Sequence, residues 1–131
     1  MSRVTARGWW ILAVLYMAGL FALSSVKDTK SDTGIEEYFP PPSVQNALHV
    51  PAYAGLSYLL WRGLRGPRRR AALLAALLAT AYGVTDEIHQ MFVEGRTASV
   101  TDALANALGA FAVWCVVAFA SRAPAPPTLP R

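Results

Sequence analysis

The chain is 131 residues long, with 54% hydrophobic and only 15% charged residues, a net charge of +4 and a positive mean hydropathy. That length bounds it to one domain, and charged residues fall well short of the roughly 25% usual in soluble domains, which points to lipid as the solvent. A nucleic-acid binder is disfavoured despite the positive charge, because the arginines are gathered into short segments between apolar runs.

In chain order, the first apolar run is Trp9 to Val26, preceded by Arg3 and Arg7. Trp9 and Trp10 resemble an interfacial aromatic anchor, so the run reads as a membrane helix. A cleaved signal peptide is the alternative, with Ala22-Leu23-Ser24 as its small-residue site. The loop from Lys27 to Asn46 is polar and turns amphipathic at Tyr38-Phe39-Pro40-Pro41-Pro42, as if resting on a membrane surface. The second run, Leu48 to Leu64, contains His49 and Pro51 and is the least regular. Pro51 fits a helix if it stands in the first turn, where its missing N–H has no partner to lose. A re-entrant segment is the other reading. The third run spans Ala71 to Val93 and the fourth Ala103 to Ser121. Each run is close to the roughly 17–25 residues that cross a hydrocarbon layer. Small residues four apart, Ala75, Ala79 and Gly83 on the third run and Ala105 and Gly109 on the fourth, predict close helix packing. Cys115 lies inside an apolar run and has no partner for an internal disulfide.

The predicted fold is all-α: an integral membrane four-helix bundle with short loops. Residues 1–8 form a cytoplasmic N-terminus, 9–121 the bundle, and 122–131 a proline-rich disordered cytoplasmic tail. Arg62, Arg65, Arg68, Arg69 and Arg70 separate the second and third runs, and Arg122 follows the fourth, whereas the other two loops hold only Lys27, Lys30 and Arg96. The positive-inside rule then puts both termini in the cytoplasm.

The informative stretch closes the third helix: Tyr82-Gly83-Val84-Thr85-Asp86-Glu87-Ile88-His89-Gln90-Met91-Phe92. A lone Asp at the centre of a membrane helix costs about 2.5–3.5 kcal/mol on insertion scales, less toward the interface, so these residues need a reason. Tyr82, Asp86, His89 and Gln90 recur at three or four residues and share a face, with Glu87 about 100° away. His49 and Tyr53 on the second helix and Asp102 and Asn106 on the fourth converge at the same depth, and the intervening loop adds Glu94 and Arg96. Several of these have purely structural readings. Ser99-Val100-Thr101-Asp102 matches a capping box with Asp in the Glu position. His49 fits a bond to a neighbouring helix, Arg96 a surface ion pair and Asn106 a bond between helices.

The string Thr85-Asp86-Glu87-Ile88-His89-Gln90-Met91-Phe92, followed by Gly95-Arg96, Asp102, Asn106 and Gly109, resembles the signature of the VanZ-like family, named for a protein associated with teicoplanin resistance. Ser24-Ser25 and the pair His49 and Tyr53 support the resemblance, which covers about residues 9 to 121. Many relatives carry a Pro before the Gly-Arg pair, where this chain has Glu94. The resemblance implies a small multi-pass protein of the bacterial cytoplasmic membrane. Its implied role is in envelope lipid chemistry, with an effect on glycopeptide susceptibility in some members.

Three functional expectations follow. The first is an extracytoplasmic polar site that binds, moves or processes an envelope lipid, a lipid-linked substrate or its head group. Asp86, Glu87 and His89 would do acid–base work there. His49, Tyr53, Gln90, Arg96, Asp102 and Asn106 would bind substrate, with Arg96 as a forked donor for phosphate or carboxylate. A proton- or substrate-relay role in a carrier would need a homo-oligomer. The second is a structural protein whose polar cluster ties helices together and whose outer loop docks a membrane-protein partner. The third and weakest is a metal-dependent hydrolase with His49, Asp86 and His89 as ligands and Glu87 as base. No cofactor and no nucleic-acid partner is expected.

Overall fold

The structure, a computed structural model, describes residues 4–26, 42–94 and 98–122. The loop before Pro42, Arg96 and the proline-rich tail after Arg122 lie outside the described residues. Four helices make up the described chain: α1 (Ala6–Ser24), α2 (Pro42–Gly63), α3 (Arg68–Gln90) and α4 (Val100–Ala120).

Each helix begins earlier than its apolar run, because polar residues make the first turns. Thr5 caps α1, its Oγ1 accepting from the Gly8 N–H at 3.2 Å. Ser99 caps α4 in the same way, accepting from the Asp102 N–H at 3.3 Å. Pro42 opens α2, where a proline loses no bond. Pro51 is therefore well inside α2, not in its first turn as the sequence suggested, and has no N–H to give the Ala47 carbonyl. The α2–α3 connection is short because Gly66 adopts φ +121°, a conformation that L side chains rarely adopt, directly before Pro67. At the other end α3 stops at Gln90, not Val93. The chain then tightens into bonds to the third residue back, Met91 to Ile88 at 3.2 Å, Phe92 to His89 at 2.9 Å and Val93 to Gln90 at 3.1 Å.

Among the described residues α1, α3 and α4 are long and apolar enough to cross a membrane. α2 has the length, at 22 residues, but carries Gln45, Asn46, His49 and Pro51. Its position explains why it can do without a long apolar stretch: it packs against all three other helices, most extensively α4. α3 and α4 close the other side of this trio, and α1 lies along α2 with a slight contact to α3.

The core is built from small residues. Ala72, Ala75, Ala76, Ala79 and Ala110 are fully buried, with Tyr53 and Leu56 as the large fillers. Leucines, valines and phenylalanines such as Leu15, Val116 and Phe119 face outward. This arrangement suits a lipid exterior, which gives large apolar side chains no reason to turn inward and leaves close backbone packing to drive association. The tightest approach is at Gly109, where an added Cβ would overlap the Val50 carbonyl oxygen. At Gly83 a Cβ would stand 3.0 Å from both Tyr53 Cε1 and Asn106 Cβ. The predicted small-residue faces are thus the contact faces, with Ala105 only half-buried.

Candidate functional site

The acidic end of the bundle is assembled from the end of α1, the first half of α2, the end of α3 and the start of α4. Asp86 is buried on α3. Its Oδ2 accepts from the Tyr53 hydroxyl at 3.3 Å and from Gln90 Nε2 at 3.4 Å, one helical turn away. Its Oδ1 is buried and has no hydrogen-bond partner among the described residues. Tyr53 is held in turn by stacking beneath His49, ring centroids 6.4 Å apart and 15° from parallel.

His49 Nδ1 lies 2.7 Å from Asn106 Oδ1 on α4. An amide oxygen only accepts, so Nδ1 carries a proton, and a neutral ring presents its lone pair at Nε2. Asn106 Nδ2 is buried with no partner among the described residues.

Glu87, about 100° further round α3, serves a different neighbour. Its Oε2 accepts from the Ser99 backbone N–H at 3.1 Å, which sets the carboxylate against the start of α4. An anion there completes the cap and meets the positive end of the helix dipole. The capping box read in the sequence is therefore split: Ser99 Oγ takes the Asp102 N–H, and Glu87 takes the reciprocal bond to Ser99 N–H. Glu87 Oε1 is buried without a partner among the described residues.

His89 points elsewhere again. Its ring stacks on Phe21 of α1 at 4.3 Å and its Nε2 lies 3.0 Å from Ser25 Oγ. Ser25 Oγ donates to the Phe21 carbonyl at 2.7 Å, so the contact with His89 runs from the ring N–H to the hydroxyl oxygen. Tyr82 also turns to α1, donating to the Met17 carbonyl at 2.7 Å. The polar face expected to unite Tyr82, Asp86, His89 and Gln90 is thus divided: Asp86 and Gln90 face α2 and the interior, Tyr82 and His89 face α1. The wide angular spread of residues three and four apart allows one helix to serve three neighbours.

Asp86, Gln90, His49, Tyr53 and Ser24 share one cavity of about 210 Å³. Leu20, Leu23, Leu48 and Ala52 complete its wall with apolar surface. Of the expected binding residues, His49, Tyr53 and Gln90 line this space, Asn106 supports it through His49, and Asp102 stands on the first turn of α4. Glu87 and His89 do not line it. The expected ligand trio of His49, Asp86 and His89 is not assembled, since the two imidazoles face opposite helices. Among the described residues no group of three His, Cys, Asp or Glu side chains could hold a metal ion. Sequence reasoning named Ser24 only within the family resemblance and did not single out Phe21. Only α1's packing against α2 and α3 reveals the first as a cavity wall and the second as the platform for His89.

In comparison with known proteins, a family model described as VanZ/LLP1 matches residues 6–121. No curated protein and no solved structure matches the chain.

Proposed function

The chain belongs to the VanZ/LLP1 family of membrane proteins, and on that footing we propose that its acidic-end cavity binds the head group of an envelope lipid or lipid-linked substrate. In this reading all four helices cross the membrane of a bacterial cell. Both termini and the arginine-rich α2–α3 connection face the cytoplasm, and the cavity opens toward the extracytoplasmic side. The charge distribution along the loops supports that orientation.

The observation that carries the proposal is Asp86. A buried carboxylate oxygen without a partner costs on the order of 1–3 kcal/mol or more, and a helix this apolar would lose little with Leu there. A head group bearing hydroxyls or an amine would supply the missing donor, with His49, Tyr53 and Gln90 around it. Leu20, Leu23 and Leu48 offer apolar surface for the adjoining chain. Any processing of the ligand would draw on Asp86 and on His49 Nε2 for proton transfer. An effect on teicoplanin susceptibility, where it occurs, would follow from altered envelope lipid.

A second reading, that the polar residues tie helices together, is favoured by the Glu87–Ser99 and His49–Asn106 bonds, both between helices. Thermal unfolding of Asp86→Asn in detergent separates the two. A binding site predicts a variant as stable as the wild type or more stable, because functional residues are held at a cost to stability. Added envelope lipid would then raise the wild-type Tm but not that of the variant. A loss of several degrees with aggregation, and no lipid-dependent shift in either protein, would make Asp86 structural.

A further inference from the structure

The opposite end of the bundle holds a larger groove, of about 460 Å³, within the range of small-molecule sites. Its walls are apolar: Tyr58 and Trp61 of α2 face Val113 and Val116 of α4. One charged residue, Arg68 at the start of α3, lines it. Arg62 nearby is already engaged, lying 4.3 Å over the Trp9 ring and donating to the Tyr58 hydroxyl at 2.5 Å. The Arg68 side chain has no hydrogen bond or ion pair among the described residues.

The surroundings define the sign of what is missing. Arg65, Arg69 and Arg70 adjoin Arg68, and Arg122 follows α4 at the same end. Among the described residues no acidic side chain lies at this end, because Asp86, Glu87, Glu94 and Asp102 all stand at the other. An apolar slot between membrane helices, with a guanidinium in its wall that is unpaired among the described residues, matches one occupant by chemistry. Its slot would hold an acyl chain and its cation a phosphate, which an arginine fork grips in two places.

We propose that the groove between α2 and α4 is a binding site for an anionic phospholipid, with the phosphate on Arg68 and an acyl chain along Trp61, Val113 and Val116. The site is separate from the acidic-end cavity, shares no residue with it and does not depend on its function. It also holds in either membrane orientation, because the charge travels with this end of the bundle.

The test is native mass spectrometry of the purified full chain released from neutral detergent, with phosphatidylglycerol and phosphatidylcholine of identical acyl chains supplied in equal amounts. The wild type is expected to retain phosphatidylglycerol preferentially. Arg68→Gln, an exposed position, should lower that preference about fivefold, the factor equivalent to about 1 kcal/mol per arginine near an anionic surface. Arg69→Gln, outside the groove, should leave it intact. Val116→Trp, which fills the slot from a position 68% exposed, should reduce retention of both lipids. Equal retention of the two lipids by the wild type would overturn the proposal. So would an equal effect of the two arginine variants, which marks diffuse surface charge, or a lipid-free dimer whose formation Val116→Trp abolishes.

Discussion

Asp86 and Glu87 are adjacent carboxylates in the same helical turn, yet geometry gives them different work. Glu87 answers a local need, since the first N–H groups of a helix have no intrahelical acceptor and Ser99 N–H finds one in Glu87 Oε2. Asp86 answers no comparable need: both donors to it are side chains that reach the same oxygen, at 3.3 and 3.4 Å, and its other oxygen, like Glu87 Oε1, is unpartnered among the described residues. The distinction is testable at Glu87. Glu87→Gln keeps a carbonyl oxygen for Ser99 N–H and should cost less than about 1 kcal/mol, whereas Glu87→Ala should cost about 1.5–3 kcal/mol, the range for a bond to a charged group. Unfolding of the two variants in detergent measures both values. Equal losses would mean that the bond to α4 is not what Glu87 contributes. At this scale the sequence showed which residues were out of place in an apolar helix. It could not show their partners, because a spacing of three or four places side chains on an arc wide enough to face two helices. His89 and Asp86 went to different sides for that reason.

Among the elements, α2 carries the greatest contradiction between sequence and position. It is the one described helix without an apolar stretch long enough to cross a membrane, and it contains an interior proline, but it sits at the centre of the packing. The two facts are compatible because neighbouring helices cover it from lipid, so its polar groups meet side chains and backbone instead of hydrocarbon. Ser57 Oγ, for instance, donates to the Ala110 carbonyl at 2.9 Å. Its early start at Pro42 was illegible because capping and polar first turns carry no apolar signal. The small-residue faces of α3 and α4, in contrast, were legible from spacing alone. Their importance predicts a sharp difference between two glycines. Gly109→Ala would drive a methyl group into the Val50 backbone, with the carbonyl carbon at 2.9 Å and Cα at 3.0 Å, where no rotamer change gives relief. The expected cost is about 1–3 kcal/mol from overpacking. Gly19→Ala meets nothing within 4 Å and should be neutral, or stabilising by up to about 1 kcal/mol through helix propensity. Comparable thermal shifts for the two would show that the α2–α4 contact yields easily and is not a close-packed seam.

For the whole molecule, the separation of charge gives a direction to the bundle. Trp9 meets Tyr58 and Arg62 at one end, and Ser25 meets His89 while Glu87 meets Ser99 at the other, so successive helices run in opposite senses. Every described arginine lies at the first end, and Asp86, Glu87, Glu94 and Asp102 lie at the second. Membrane insertion reads this asymmetry through Lys and Arg in short loops, and the α2–α3 connection is short enough to count. The arrangement therefore predicts that residues 32 and 94 face the outside together. Single cysteines at Asp32 and Glu94, in a Cys115→Ala background that removes the exposed native thiol, should both be labelled by a membrane-impermeant reagent in intact cells. A cysteine at Arg65 should be labelled only after lysis. Protection of both outer positions with labelling at Arg65 would invert the bundle and turn the Asp86 cavity to the cytoplasm. Labelling at Asp32 with protection at Glu94 would mean that an odd number of spans separates them, leaving α2 or α3 out of the membrane and removing the shared depth on which the cavity depends.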